Sequence, residues 1–176
     1  TAARADPAHA AVVGSIAAAC SETGFFCVEG QGIEPTLGNR LVDAAREFFA
    51  QPEEAKAGIS MDRGGRAWRG WFPLGGELTS GEADAKEGIY FGADLPPTHP
   101  AVLASTPLHG ANLYPREPEG LAGLVDAWMV AVTAVGQELL GAMALGLGLE
   151  ADWFDRCCAD PLVMFRIFHY PAPPVA

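Results

Sequence analysis

An α+β fold, with helices laid over a sheet, follows from three features of the 176-residue sequence. Leu121, Leu124, Val125, Trp128, Val132, Val135, Leu139 and Met143 recur at helical spacing, an apolar stripe wide enough to cover a sheet. Two short runs, Gly88 to Phe91 and Val163 to Tyr170, alternate as strands do. Between the regular segments lie irregular stretches dense in glycine and proline, from Arg69 to Gly92 and from Leu95 to Pro118.

The elements follow in order. A first helix spans about residues 8–22, with Val12 or Val13, Ile16 and Ala19 on one face and Gly24 placed to stop it. A short strand is expected at Phe25 to Glu29, then a turn at Gly30 to Gly32. Pro35 opens a second helix, where a missing N–H costs nothing, and Leu37, Leu41, Ala44 or Ala45, and Phe48 mark its apolar face. Pro52 ends it and Pro52-Glu53-Glu54-Ala55-Lys56 starts a short continuation. The strand at Gly88 to Phe91 and the proline-rich loop lead into the long helix near 121–149, and a brief helix is expected at 150–158. In Val163 to Tyr170, Val163, Phe165 and Ile167 alternate with Met164, Arg166 and Phe168, which suits a strand buried on both faces.

Composition bounds the function. A net charge of −11 and a pI near 4.6 argue against nucleic acid or an anionic membrane as partner, since both require clustered cations. Asp126, Gln137, Glu138 and several glycines interrupt the long helix, so a bilayer span is not expected. Cys20, Cys27 and the adjacent Cys157 and Cys158 show no C-x-x-C spacing; Cys20 on an apolar helix face and Cys27 in a strand would act as small hydrophobes. Reduced thiols and the lack of a signal-peptide pattern point to the cytoplasm. No histidine begins an H-x-D or H-x-E pair.

The segment Arg69 to Gly92 reads as site-building. Its six glycines let the backbone bend sharply and approach a ligand closely, and its aromatics argue against disorder. Trp68, Trp71 and Phe72 are candidates for a lid over a substrate. Arg63, Arg66 and Arg69 are either a solvated loop or a clamp for a carboxylate-bearing substrate.

Five pieces in order resemble the isopenicillin N synthase-like family of non-haem iron oxygenases. They are TGFFCVEGQGI (Thr23 to Ile33), AAREFFAQPEEAKAG (Ala44 to Gly58), GWFPLGGELTSGEADAKEGIYFG (Gly70 to Gly92), GANLYP (Gly110 to Pro115) and MFRIFHYP (Met164 to Pro171). The resemblance implies that the sheet is part of a double-stranded β-helix, or jelly roll, with residues 1–160 as helical shell and 161–176 as the opening strand of the catalytic domain. It implies Fe(II) and 2-oxoglutarate as cofactors, dioxygen and a small molecule as reactants, and hydroxylation, desaturation or ring closure as the outcome. The family's H-x-D iron motif and its later oxoacid-binding arginine have no counterpart in these residues, so the reading is of an N-terminal portion, inactive by itself.

Site residues are carried over position by position. Tyr170 matches the family's Y-P tyrosine, expected to bind the oxoacid; otherwise it is a core aromatic. Arg166, taken with Tyr170 as cofactor-binding, either faces the barrel interior and pairs with a carboxylate or lies at the barrel rim. Phe168 stands where many relatives have asparagine, which removes one expected polar contact to the oxoacid. Asn112 and Tyr114 match an N-x-W-P strand and are either pocket residues, beside the candidates Trp71, Phe72 and Arg69, or simple strand packing. Lys86-Glu87 reads as a structural ion pair, His169 as a packed histidine that binds no metal, and Gln31 as a neutral replacement in a turn. Two alternatives stay open: an oxidase of the namesake's type that needs no 2-oxoglutarate, and a non-catalytic acidic binding module.

Overall fold

The computed structural model describes residues 7–158 and 160–172. They form two compact units. One joins the chain up to Ile33 with Val130–Pro161; the other joins Glu34–Met129 with the residues from Leu162 onward.

In the first unit, helix α1 (Pro7–Glu22) ends where Gly24, at φ 80°, returns its N–H to the Ala19 carbonyl at 2.8 Å. The later part of α6 (Leu121–Gly146) lies close against α1: a Cβ at Gly146 would stand 3.0 Å from the Ala17 methyl. A short helix, α7 (Asp155–Cys158), follows. The strand expected at Phe25 to Glu29 does not form. Phe25 and Val28 are exposed, and a strand with no neighbour to accept its N–H groups has nothing to hold it extended. Cys20 and Cys27 are exposed free thiols, so neither is the buried hydrophobe its position suggests.

The second unit holds the sheet. Helix α2 (Pro35–Phe49) starts with Glu34 accepting the Thr36 N–H at 2.9 Å and buries Leu37, Leu41, Ala44, Ala45 and Phe48 as their spacing predicts. Short turns follow: α3 (Glu53–Lys56), a 3₁₀ turn at Ala57–Ile59, α4 (Met61–Gly64) and a second 3₁₀ turn at Gly65–Ala67. The segment read as irregular then contains β1 (Gly70–Phe72) and a small hairpin of β2 (Leu78–Thr79) and β3 (Glu82–Ala83). Strand β4 (Glu87–Gly92) is central and fully buried between antiparallel β1 and β5 (Met164–His169). The proline-rich loop carries one short helix, α5 (Pro100–Leu103).

Register fixes which side chains meet. Glu87 lies opposite His169, Gly88 opposite Phe168 and Phe72, and Tyr90 opposite Arg166. Ile89 and Phe91 face the core made by α2 and the first turns of α6, where Phe48, Leu121 and Val125 are sealed from solvent. Strand β5 is not buried on both faces as its alternation suggests. It is an edge strand among the described residues, as β1 is on the other side, and Arg166 is exposed. Helix α6 is long and apolar enough to cross a membrane by length and composition, which the interruptions in its sequence do not prevent. Its first turns are instead core, while Val130 and Val132 farther along are exposed.

Candidate functional site

The two faces of the sheet carry different chemistry. On the core side, the Glu87 carboxylate is a hub for four elements. Oε2 accepts the Lys56 ammonium at 2.7 Å and the Trp71 indole N–H at 2.8 Å; Oε1 meets His169 Nδ1 at 2.9 Å. Lys56 also donates to the Phe49 carbonyl at 3.1 Å, and the His169 ring stacks on Phe49. Burial alone would raise the Glu87 pKa, but donation from Lys56, His169 and Trp71 holds it below the ordinary carboxylate value.

Lys86 and Glu87 therefore do not pair with each other. Lys86, just before β4, points away from the side on which the first strand residue, Glu87, lies: Lys86 reaches Asp84 at 2.7 Å and Glu77 at 3.3 Å while Glu87 turns inward to Lys56. The hydrogen bonds and charges of Asp84, then Glu77, raise the Lys86 pKa against a smaller effect of desolvation.

On the opposite face Phe72, Tyr90 and Phe168 form an edge-to-face aromatic floor, with ring centroids 5.8 to 6.3 Å apart. Gly88 makes this possible, since a Cβ there would stand 2.6 Å from both phenylalanine rings. Lys86 lies 4.6 Å from the Phe168 centroid. The Arg166 guanidinium lies 5.7 Å from the Tyr90 centroid and 5.5 Å from that of Phe168. The Tyr90 hydroxyl donates to Glu77; burial and that carboxylate raise its pKa, and Arg166 opposes them. Tyr170 continues the alternation, its ring 6.5 Å from Phe168, and it is 64% exposed, with no partner for its hydroxyl among the described residues. Tyr170 is thus not a core aromatic.

Arg166, Phe72 and Tyr170 come together on this face; the other candidates do not join them. Trp71 is buried on the hub side. Asn112 ties the end of β4, accepting the Gly92 N–H at 2.9 Å and donating to the Gly92 carbonyl at 2.7 Å, which satisfies its amide as a strand neighbour would. Tyr114 stacks on Phe91 and donates to Asp126 at 2.6 Å; burial and that carboxylate raise its pKa. Arg69 is sealed inside, bonded to the Ala67 carbonyl at 2.7 Å and the Leu108 carbonyl at 3.0 Å, while Arg63 and Arg66 are exposed. The three arginines therefore form no common clamp. Burial lowers the Arg69 pKa against the opposing charges of Asp94 and Tyr114. Trp71 and Phe72 are fixed in β1, so no lid of Trp68, Trp71 and Phe72 exists. Tyr90 belongs to this face and was missed, although its alternation with Gly88 already places it there; Phe168, noted only for the polar contact it lacks, joins it as part of the floor.

An apolar groove of about 830 Å³ runs along the free edge of β5, lined by Leu41, Val42, Trp128, Ile167 and His169 among others. Among the described residues no three His, Cys, Asp or Glu side chains gather as a metal site.

Comparison with known proteins gives a consistent picture. Residues 1–117 match the family described as non-haem dioxygenase in morphine synthesis, N-terminal. A probable iron/ascorbate oxidoreductase of Dictyostelium discoideum is 41% identical over 162 residues, which cover 88% of this chain and 45% of that protein. Homoarginine-6-hydroxylase 2-ODD-233 of Oryza sativa is 32% identical over 154 residues, 87% of this chain and 46% of that protein. Among solved structures, a protein assigned to the 2OG-Fe(II) oxygenase family from Caulobacter crescentus superposes with a TM-score of 0.81 at 28% identity, covering 95% of this chain and 53% of that one. The chain thus spans about half the length of the curated relatives it matches.

Proposed function

Because the chain belongs to the non-haem dioxygenase N-terminal family, we propose that the whole protein is an Fe(II)- and 2-oxoglutarate-dependent dioxygenase that hydroxylates, desaturates or cyclises a small molecule. The observation that carries this reading is the β5 face, where Arg166, Phe168 and Tyr170 are presented together at an open sheet edge. Residues 161–176 open the catalytic jelly roll in this reading, of which 173–176 lie outside the described residues. The described residues do not themselves assemble a ferrous centre, and the ligands are assigned to the part of the relatives' length that this chain does not span. Bound iron supplies the activation of dioxygen.

The residues in hand have a narrower task. The unpartnered Tyr170 hydroxyl is a donor for a carboxylate of the oxoacid. The Glu87 hub fixes the end of β5 beside it, and Phe72, Tyr90 and Phe168 supply a dry floor. The site takes a small molecule in a cytoplasmic protein; nucleic acid and membrane are not its partners.

Oxygen uptake by the full-length protein with Fe(II), in the presence and absence of 2-oxoglutarate, tests the assignment. Uptake that requires 2-oxoglutarate is expected. Uptake indifferent to it would favour the second reading, an oxoacid-independent oxidase, which Phe168 in the place of the expected asparagine supports.

A further inference from the structure

Among the described residues Arg166 has the Tyr90 hydroxyl and ring as neighbours but no carboxylate partner. It projects from β5 onto the aromatic floor, exposed, and no carboxylate lies within ion-pair distance of it among the described residues. The other cation on this face, Lys86, is held by both Asp84 and Glu77, and Glu77 also accepts the Tyr90 hydroxyl. The nearby acids are therefore engaged, and the guanidinium rests on the rings of Tyr90 and Phe168, which limits the conformations it loses on gripping a ligand. Phe168 is half-buried and the Tyr170 ring stands across it, so a ligand held by Arg166 meets flat apolar surface on the same face.

The geometry points to Arg166 as the residue that fixes the charged end of the organic substrate, a small carboxylate carried on a flat apolar body. This assignment rests on the dioxygenase reading and gives it a substrate class. These 176 residues, with net charge −11, offer an anion no general attraction, so recognition on this face must come from such a local, directed contact. A guanidinium suits it because its planar fork matches both oxygens of a carboxylate. Two sources could supply that carboxylate, the substrate and 2-oxoglutarate, and Arg166 is assigned to the substrate because Tyr170 already offers the oxoacid a donor.

The experiment uses the full-length protein, without oxygen, and follows ligand binding by calorimetry and saturation-transfer NMR. The probes are phenylacetate, uncharged phenylacetamide and 2-oxoglutarate, tested on the unaltered protein, R166Q and R166K. Phenylacetate is expected to bind more tightly than phenylacetamide and to weaken about tenfold in R166Q, the loss of one directed charge contact of about 1.4 kcal/mol. R166K recovers part of that affinity, because it restores the charge without the fork, and 2-oxoglutarate changes by less than about twofold across the series. Equal binding of the acid and the amide, or no binding of phenylacetate, overturns the proposal. So does a loss of 2-oxoglutarate affinity in R166Q as large as that for phenylacetate, which would assign the arginine to the cosubstrate. The dioxygenase reading fails separately, through oxygen uptake that ignores 2-oxoglutarate, and that result leaves the phenylacetate comparison standing.

Discussion

At the scale of single residues, the Glu87 carboxylate has the greatest leverage on stability. It is 8% exposed and accepts from three side chains, so its replacement leaves Lys56, itself 6% exposed, as an uncompensated buried charge. Glu87→Gln is expected to destabilise the fold by about 3 kcal/mol, read from the urea midpoint at neutral pH. The same group sets an acid limit. Because its folded pKa is depressed, the stability it contributes is complete above its unfolded value, near 4.3, and is lost as pH falls through the folded value. Urea midpoints should therefore drop below about pH 4, and Glu87→Gln should flatten that drop. A variant that keeps the full acid dependence would show that other carboxylates cause it. The sequence presents Lys86 beside Glu87 and invites their pairing. The true partner stands 31 residues upstream, and only strand alternation combined with the approach of α3 selects it.

At the scale of elements, what could be read depended on whether a segment specifies itself. Helix α2, the start of α6 and strand β4 carry enough periodic apolar residues to be recognised, and α2 begins at the proline that marks its start in the sequence. Strand β1 has only three residues and exists because β4 lies beside it, so no local pattern announces it inside a glycine-rich segment. The reverse holds for Phe25 to Glu29, where strand-like residues have no ladder to join. Gly70 shows how tightly β1 is placed. It sits at φ 109°, and an added Cβ would collide with the Ile59 carbonyl and approach Leu113 at 3.1 Å. Gly70→Ala combines backbone strain with overpacking and is expected to cost about 3 kcal/mol, measured by thermal or urea unfolding. A cost below about 1 kcal/mol would mean that β1 moves freely relative to the 3₁₀ turn before it.

At the scale of the whole molecule, the second unit is closed on one side and open on the other. The core around Phe48, Phe91 and Val125 is sealed, while the free edge of β5 borders an apolar groove that nothing among the described residues covers. Unpaired edges and apolar patches of this kind drive association when left bare. The 176-residue chain by itself is therefore expected to enhance the fluorescence of an apolar dye and to associate with rising concentration in sedimentation velocity. Val42 lines the groove and is 48% exposed, so Val42→Lys places a charge there without opening the core. That variant should lower both signals while its near-ultraviolet circular dichroism stays unchanged. A chain that sediments as a monomer at every concentration and leaves the dye dark would show the groove to be closed in solution. Association that persists undiminished in Val42→Lys would place the contact elsewhere, with the exposed Val130 and Val132 of α6 as the next surface to alter.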